Sequence, residues 1–473
     1  MNSAAVSSDK QKGLVGTQRI TPNLAKFCIK CGNDKCRCKP RPRRTWTKRK
    51  QDVVDILRWV PPIVHIVRIP SADDDTQVPE RIVRSFEHFG LRHYWTALLP
   101  VRLGEYPAVD SAAKTFVHAH RYSTLPSKEA LRKVLRCYGE TLRLLRNAME
   151  KHNAAVLDET LMTVALVDLL AYSMKDSHAE GGNAPSLWGT THSGGVVAVL
   201  RARPPDHRIS EITRAIRLFM YGSTCFNPIG LGIPSPVDDL PQWWRVEPVG
   251  LSVLSNTIRI LEKLRLQIEV RTPRLVVYVR KLRSNTRLDP GLAMDAVQLA
   301  RELLALQDVH AEADLIRGFA STPTTDQADR AILPAFWQFP NAIEVTTAIL
   351  YWEFRLLVLN NVLELARMVT SFDEDLLDLR ANQSQLIMQL LAAWQWGQQQ
   401  GVYVSVHLAA AYVVVWAGLL RREALNGVPV ADVKRWLLPK IKHPLLEWTT
   451  DATEIAAEHA AEVLVGGPLP GRG

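Results

Sequence analysis

The chain has 473 residues, 47% of them hydrophobic and 22% charged, a composition that suits a globular protein with a large core. Six cysteines spread over this length exclude a disulfide scaffold and point to a reducing compartment. The net charge is +10, and residues 26–50 carry eleven Lys or Arg against the single acid Asp34. The remaining 47 basic and 47 acidic residues cancel, so a neutral body carries one short basic segment, the pattern of a polyanion contact or a nuclear import signal.

In chain order, residues 1–25 are rich in Ser, Ala, Gly, Gln and Lys without apolar periodicity, which predicts a disordered tail. No apolar run suited to a secretory leader occurs in the first thirty residues. The basic, Cys-containing segment 26–50 follows, then a linker over 51–78 that is interrupted by Pro61-Pro62 and closed by Asp73-Asp74-Asp75. The proline pair forbids a dimerising coiled coil directly after the basic segment.

Residues 79–466 are dominated by helical periodicity, and the fold class expected is all-α, with a short disordered tail at 467–473. Between Lys128 and Glu150 the residues Leu131, Val134, Leu135, Tyr138, Leu142 and Leu145 form one stripe. The next helix, opened by Asp158, is apolar nearly all round from Leu161 to Leu170 and belongs in the middle of a bundle. Further helices are predicted over 188–200, 209–221, 251–270, 292–317, 343–369 and 383–396, with proline-rich loops at 227–241 and 321–340. Only Leu275–Val279 and Pro62–Ile69 are rich enough in β-branched residues to compete as strands. The apolar run 402–420 approaches bilayer-spanning length, but its Ala content and internal His407 favour a buried helix, and no membrane association is expected.

Cys28, Cys31, Cys36 and Cys38 fall within eleven residues, a density that points to metal. Thiolates bind zinc tetrahedrally, and a C-x2-C turn presents two sulfurs to one ion; the single residue between Cys36 and Cys38 makes it awkward for both to join the first pair. Lys39, Arg41, Arg43, Arg44, Lys48, Arg49 and Lys50 follow in two basic groups. Such groups suit a nuclear import receptor and also contact the DNA backbone without reading sequence.

Without Cys36, the residues Cys28, Cys31 and Cys38 spell C-x2-C-x6-C, which resembles one half of the binuclear zinc cluster of fungal transcription factors. The other cysteines, Cys137 and Cys225, are read as core residues far along the chain. Over residues 108–221 the body resembles the helical regulatory domain that follows such clusters. The resemblance is carried by Tyr138-Gly139, by Asp158-Glu159-Thr160-Leu161, and by a block containing Trp188, His192, Gly195, Leu200 and Arg203. Arg203 is followed by Pro204-Pro205 where the family usually has Gly. The resemblance implies a nuclear transcriptional regulator with zinc as cofactor, with DNA, an import receptor and a second copy or other regulators as partners. It also implies DNA binding that is weakened or lost, because only half of the cluster is present. The alternative is a helical interaction module without DNA binding.

Read physically, Trp188, His192, Gly195 and Val199 share one helix face, and Gly195 allows a neighbouring helix to approach closely. An all-α metal-dependent enzyme is the remaining class. Its nearest acidic motifs are Asp73-Asp74-Asp75 in the linker and Glu374-Asp375-Leu376-Leu377-Asp378, which reads as a helix start. His118-Ala119-His120 reads as a surface pair, and no catalytic or nucleotide-binding loop is visible, so the chain is not expected to be an enzyme.

Overall fold

The structure, a computed structural model, describes residues 78–469 apart from 89–93, 151–156, 175–190, 204–209, 220–221, 245–254, 286, 288, 341, 371, 373, 399–401 and 442–452. The described body is all-α with two small antiparallel hairpins, and it holds two principal cores.

The smaller core is built from α1 (Val78–His88), α2 (Tyr94–Leu98), α3 (Pro107–Thr124), α4 (Lys128–Met149), α5 (Asp158–Met174), α6 (Thr191–Arg201) and α7 (Glu211–Phe219). Helix α5 sits at its centre, with every residue from Thr160 to Leu170 buried, as its all-round apolar sequence requires. Helix α4 begins where the Ser127 hydroxyl accepts from the Ala130 amide, and it lies across α3. Its stripe is only partly covered: Val134 is buried, Leu131, Tyr138 and Leu145 are partly so, and Leu135 and Leu142 are 46% and 39% exposed. Cys137, expected in the core, is half-buried. The His118–His120 pair is not on the surface. His118 is buried in α3, and Nδ1 of His120 shares a 2.8 Å hydrogen bond with the Ser85 hydroxyl of α1.

After a π-helical turn at Gly222–Phe226, the stretch 227–241 that its prolines mark as a loop opens with a short helix, α8 (Asn227–Leu231), and runs irregularly into α9 (Pro241–Trp244). This stretch joins the cores. Val197, Val237, Trp244 and Val270 cluster, while Arg201 pairs with Asp239 and Arg274 pairs with Asp238 at 2.7 and 2.9 Å.

The larger core is organised around α10 (Asn256–Ser284) and α14 (Ala342–Met368), which pack along each other. Around them lie α11 (Pro290–Leu304), α12 (Val309–Arg317), α13 (Gln327–Ile332), α15 (Leu376–Ala392), α16 (Trp394–Gln398), α17 (Val402–Leu419), α18 (Val430–Ile441) and α19 (Glu454–Leu464). Side-chain caps start α10, α11, α12, α15 and α19 at Ser255, Asp289, Asp308, Asp375 and Thr453. The Asp308 cap divides the single helix expected over 292–317 into two.

Two further expectations are corrected. Leu275–Val279 lies inside α10, which runs on through Pro273, because Leu275, Val276, Val279 and Leu282 recur at helical spacing against the core. Within the proline-rich stretch 321–340, strands β1 (Ala320–Pro323) and β2 (Ala335–Gln338) pair with Ala320 opposite Gln338, and α13 fills the connection. Phe319, Trp337, Phe339, Trp352 and Trp396 then pack ring against ring at this end of the core.

Helix α17 is buried on all sides from Leu408 to Ala417, as its Ala-rich sequence suggested, and no helix among the described residues is long and apolar enough to cross a membrane. A second, shorter hairpin, β3 (Ala424–Leu425) with β4 (Val428–Pro429), turns at Asn426 and Gly427, both at positive φ, and leads into α18. Residues 467–469, expected to belong to a disordered tail, are tied down: Arg280 donates to the Gly467 carbonyl at 2.9 Å and Leu469 packs on the core.

Candidate functional site

The cysteines Cys28, Cys31, Cys36 and Cys38, the basic run Lys39 to Lys50 and Trp188 lie outside the described residues, as does the side chain of His192, which falls in the first turn of α6. Among the described residues no group of three or more His, Cys, Asp or Glu side chains is arranged to hold a metal ion.

The rest of the Trp188–Arg203 block is a packing device. A Cβ added at Gly195 would come within 3.1 Å of Val164 on α5, so the missing side chain is what lets α6 approach that helix. Arg203, just beyond α6, is buried and ties three helix ends together. It donates to the Thr213 hydroxyl at 2.7 Å and to the Leu157 carbonyl at 3.1 Å, and its guanidinium lies 3.5 Å from the Asp158 carboxylate. Thr213 in turn donates to Asp158 at 2.9 Å. Burial pulls the Arg203 pKa below the usual arginine range, while Asp158 and Glu159 oppose that shift. This geometry fastens α5, α6 and α7 and leaves no guanidinium face for a ligand. Glu374-Asp375-Leu376-Leu377-Asp378 is likewise a helix start, with Asp375 accepting from the amides of Leu377 and Asp378.

Composition and periodicity did not reveal the ionic cluster enclosed between α10 and α14. Glu262, Arg265 and Glu269 recur at i, i+3 and i+7 on one face of α10. Arg265 donates to Glu262 at 2.9 Å and also to Glu269. The Thr224 hydroxyl donates to Glu269 at 2.5 Å, and the Thr347 hydroxyl of α14 donates to Glu262 at 2.9 Å. Glu353 of α14 is fully buried, and neither of its carboxyl oxygens has a hydrogen-bond partner among the described residues.

Burial, reinforced by the Glu269 charge and only partly offset by Arg265, pushes the Glu353 pKa well above the ordinary carboxylate value, the direction that favours its neutral form. Burial raises Glu269 as well, against the pull of Arg265 and Thr224. The Cys225 thiol is pushed up by burial and then by Glu269 and Glu353, which leaves it an unreactive core thiol. One guanidinium thus serves two carboxylates in a buried site, beside a third acid whose neutral form burial favours. That arrangement fixes how α10 and α14 meet.

Two turns further along α14, residues of α14, α15 and the end of α17 line a small solvent-open cleft of about 50 Å³ that includes Arg367, Arg380, Arg421 and Arg422. The Arg421-Arg422 pair directly after a wholly apolar helix was the one sequence signal for it. Comparison with protein-family models, with curated proteins and with solved structures finds no match to this chain.

Proposed function

We propose that the chain is a nuclear transcriptional regulator of the fungal zinc-cluster kind, in which an all-α regulatory body follows a short basic, cysteine-containing DNA-contacting segment. The observation that carries this reading is the confinement of the whole excess charge and four of the six cysteines to residues 26–50. The resemblance of residues 108–221 to the family's regulatory domain supports it, and so does an all-helical body whose Arg203 and Gly195 hold helices together. In this reading Cys28, Cys31 and Cys38, completed by Cys36 or by a partner chain, hold zinc. Lys39, Arg41, Arg43, Arg44, Lys48, Arg49 and Lys50 contact phosphates and serve an import receptor.

The test is elemental analysis of the purified full-length protein together with its affinity for random duplex DNA across a salt series. About one zinc per chain and an affinity that falls steeply with salt are expected. Protein without zinc and without salt-dependent binding would remove the DNA-contacting segment from the account and leave the helical body as an interaction module.

A further inference from the structure

We propose that the cleft between α14, α15 and the end of α17 binds a phosphate-type oxyanion, either free phosphate or the phosphoryl group of a small molecule. This goes beyond the regulatory reading and does not depend on it. The floor of the cleft is a hydrogen-bonded relay. Asn360, buried on α14, donates to the Val414 carbonyl at 3.0 Å and accepts from the Gln383 amide at 2.6 Å. The Gln383 carbonyl oxygen then accepts from both Nε and Nη2 of Arg422, at 2.9 and 2.6 Å. Gly418 makes this possible, since a Cβ there would lie 3.1 Å from Asn360 Oδ1 and from Ile387 Cδ1.

Arg422 is held from below and charged above. Its remaining protein contacts are the Ser384 hydroxyl at 2.7 Å and the Arg380 carbonyl at 2.9 Å, all neutral acceptors. The side chain of Arg380 lines the same cleft. Among the described residues no carboxylate lies within ion-pair distance of either guanidinium, although a half-buried cation ordinarily recruits one. Burial, and then the neighbouring Arg380 charge, draws the Arg422 pKa below the usual arginine range, the direction expected of two cations crowded together without a counter-charge.

The acids nearby are already committed to the other two arginines. Glu364 is 2.8 Å from Arg367 and 3.6 Å from Arg421, while Glu462 is shared by Arg421 and Arg283 at 2.5 and 2.9 Å. Four arginines therefore meet one lining acid. The Arg380 guanidinium offers a planar fork that matches the oxygens of a phosphate, and Arg422 adds its charge and the Nη1 N–H that the described residues leave unengaged. Leu363 and Leu376 offer apolar surface beside the charged floor for the organic part of a phosphorylated ligand.

The test uses the full-length protein titrated with inorganic phosphate, pyrophosphate and chloride at matched ionic strength, with thermal unfolding and calorimetry as readouts. Phosphate is expected to raise the unfolding midpoint saturably above the chloride baseline. Arg380→Gln, a change at an exposed position, is expected to weaken apparent affinity about tenfold or more, as the loss of one charge-assisted contact implies. Arg317→Gln, an exposed arginine on α12 outside the cleft, and the double variant Arg43→Gln/Arg44→Gln are expected to leave that affinity unchanged. Tighter binding of pyrophosphate than of phosphate would assign the cleft to a phosphorylated small molecule, and the reverse order would assign it to the free ion. The proposal is overturned if phosphate acts no differently from chloride, or if its effect survives Arg380→Gln and disappears in the Arg43/Arg44 variant. Neither result depends on whether the protein binds DNA.

Discussion

In the smaller core the buried polar groups are mostly hydroxyls that hydrogen-bond locally. Thr115 donates to the Ser111 carbonyl at 2.8 Å, Thr141 donates to the Cys137 carbonyl at 2.9 Å, and their oxygens lie 3.0 Å apart where α3 meets α4. The smaller core also buries Asp168 and ties helix ends through the Arg203–Asp158 pair, whereas the larger core encloses a cluster of four ionisable groups, with Glu262, Arg265, Glu269 and Glu353 held between α10 and α14. The hydroxyls of the smaller core bond mainly within their own helices and reach a neighbour only at single contacts such as Ser111 with Thr141, so they place a lighter demand on how helices meet. A guanidinium serving two carboxylates, each also bonded to a threonine outside α10's own charged row, is satisfied in a single register of the helices. The two cores therefore differ in where charge enters their packing: at the helix ends around Arg203 in one, and deep between two long helices in the other.

The strongest way to break this contrast is Arg265→Met, which removes the cation bonded to both Glu262 and Glu269 and leaves only the more remote charge of Arg217 acting on Glu269. A loss of about 4 kcal/mol in denaturant unfolding is expected, and a loss under 1 kcal/mol would mean that the cluster is not the organising feature of the larger core. Arg203→Met in the smaller core should cost about 2 kcal/mol, less than Arg265→Met, because Asp158 is 28% exposed and regains water. The same unfolding assay would contradict the account if the order were reversed. Thr141→Val keeps shape and removes only the hydroxyl shared with Ser111 and Thr115, and its expected cost is about 1 kcal/mol.

One further effect expected is a slope. Burial shifts proton release from Glu353 in the native state to a pH above that of an unfolded glutamate, near 4.3. Between these values the folded protein binds more protons than the unfolded one, so Glu353 makes stability fall as pH rises, while its contribution is complete below the unfolded value. Glu353→Gln cannot titrate, so the midpoint of the variant relative to the parent should rise steadily from pH 5 to pH 8. Parallel curves for the two proteins would show that Glu353 is charged in the fold or reached by water.

Much of the architecture was legible because burial and periodicity coincide. The all-round apolar runs of α5 and α17 announced helices buried on every side, and the alternation of apolar and basic residues marked α4 with nearly its final limits. Legibility failed where tertiary packing overrides local preference. The β-branched run Leu275–Val279 stays helical because its apolar residues repeat every three or four positions against α14. The β1–β2 hairpin was hidden by prolines that here sit at strand and turn ends, and Leu135 and Leu142 belong to a stripe that the neighbouring helices only half cover.

Ionic sites were the least legible of all. Glu262, Arg265 and Glu269 have the spacing of an exposed salt-bridged face, and nothing local tells that face from a buried one. The cleft arginines are dispersed over α14, α15 and the end of α17, so only the fold gathers them. Arg203 was singled out through its motif, yet its partners Thr213 and Leu157 come from other segments of the chain.

The most direct measurement of the division between a basic segment and a neutral helical body is the slope of log affinity against log salt for duplex DNA. It would be taken on the full-length protein and on a full-length variant with Arg41, Arg43, Arg44, Lys48, Arg49 and Lys50 changed to Gln. A steep slope in the parent that flattens in the variant, with an unchanged thermal unfolding midpoint, is the predicted result. Equal affinities and slopes for the two proteins would contradict it, because the phosphate contacts would then lie outside the segment that carries the charge.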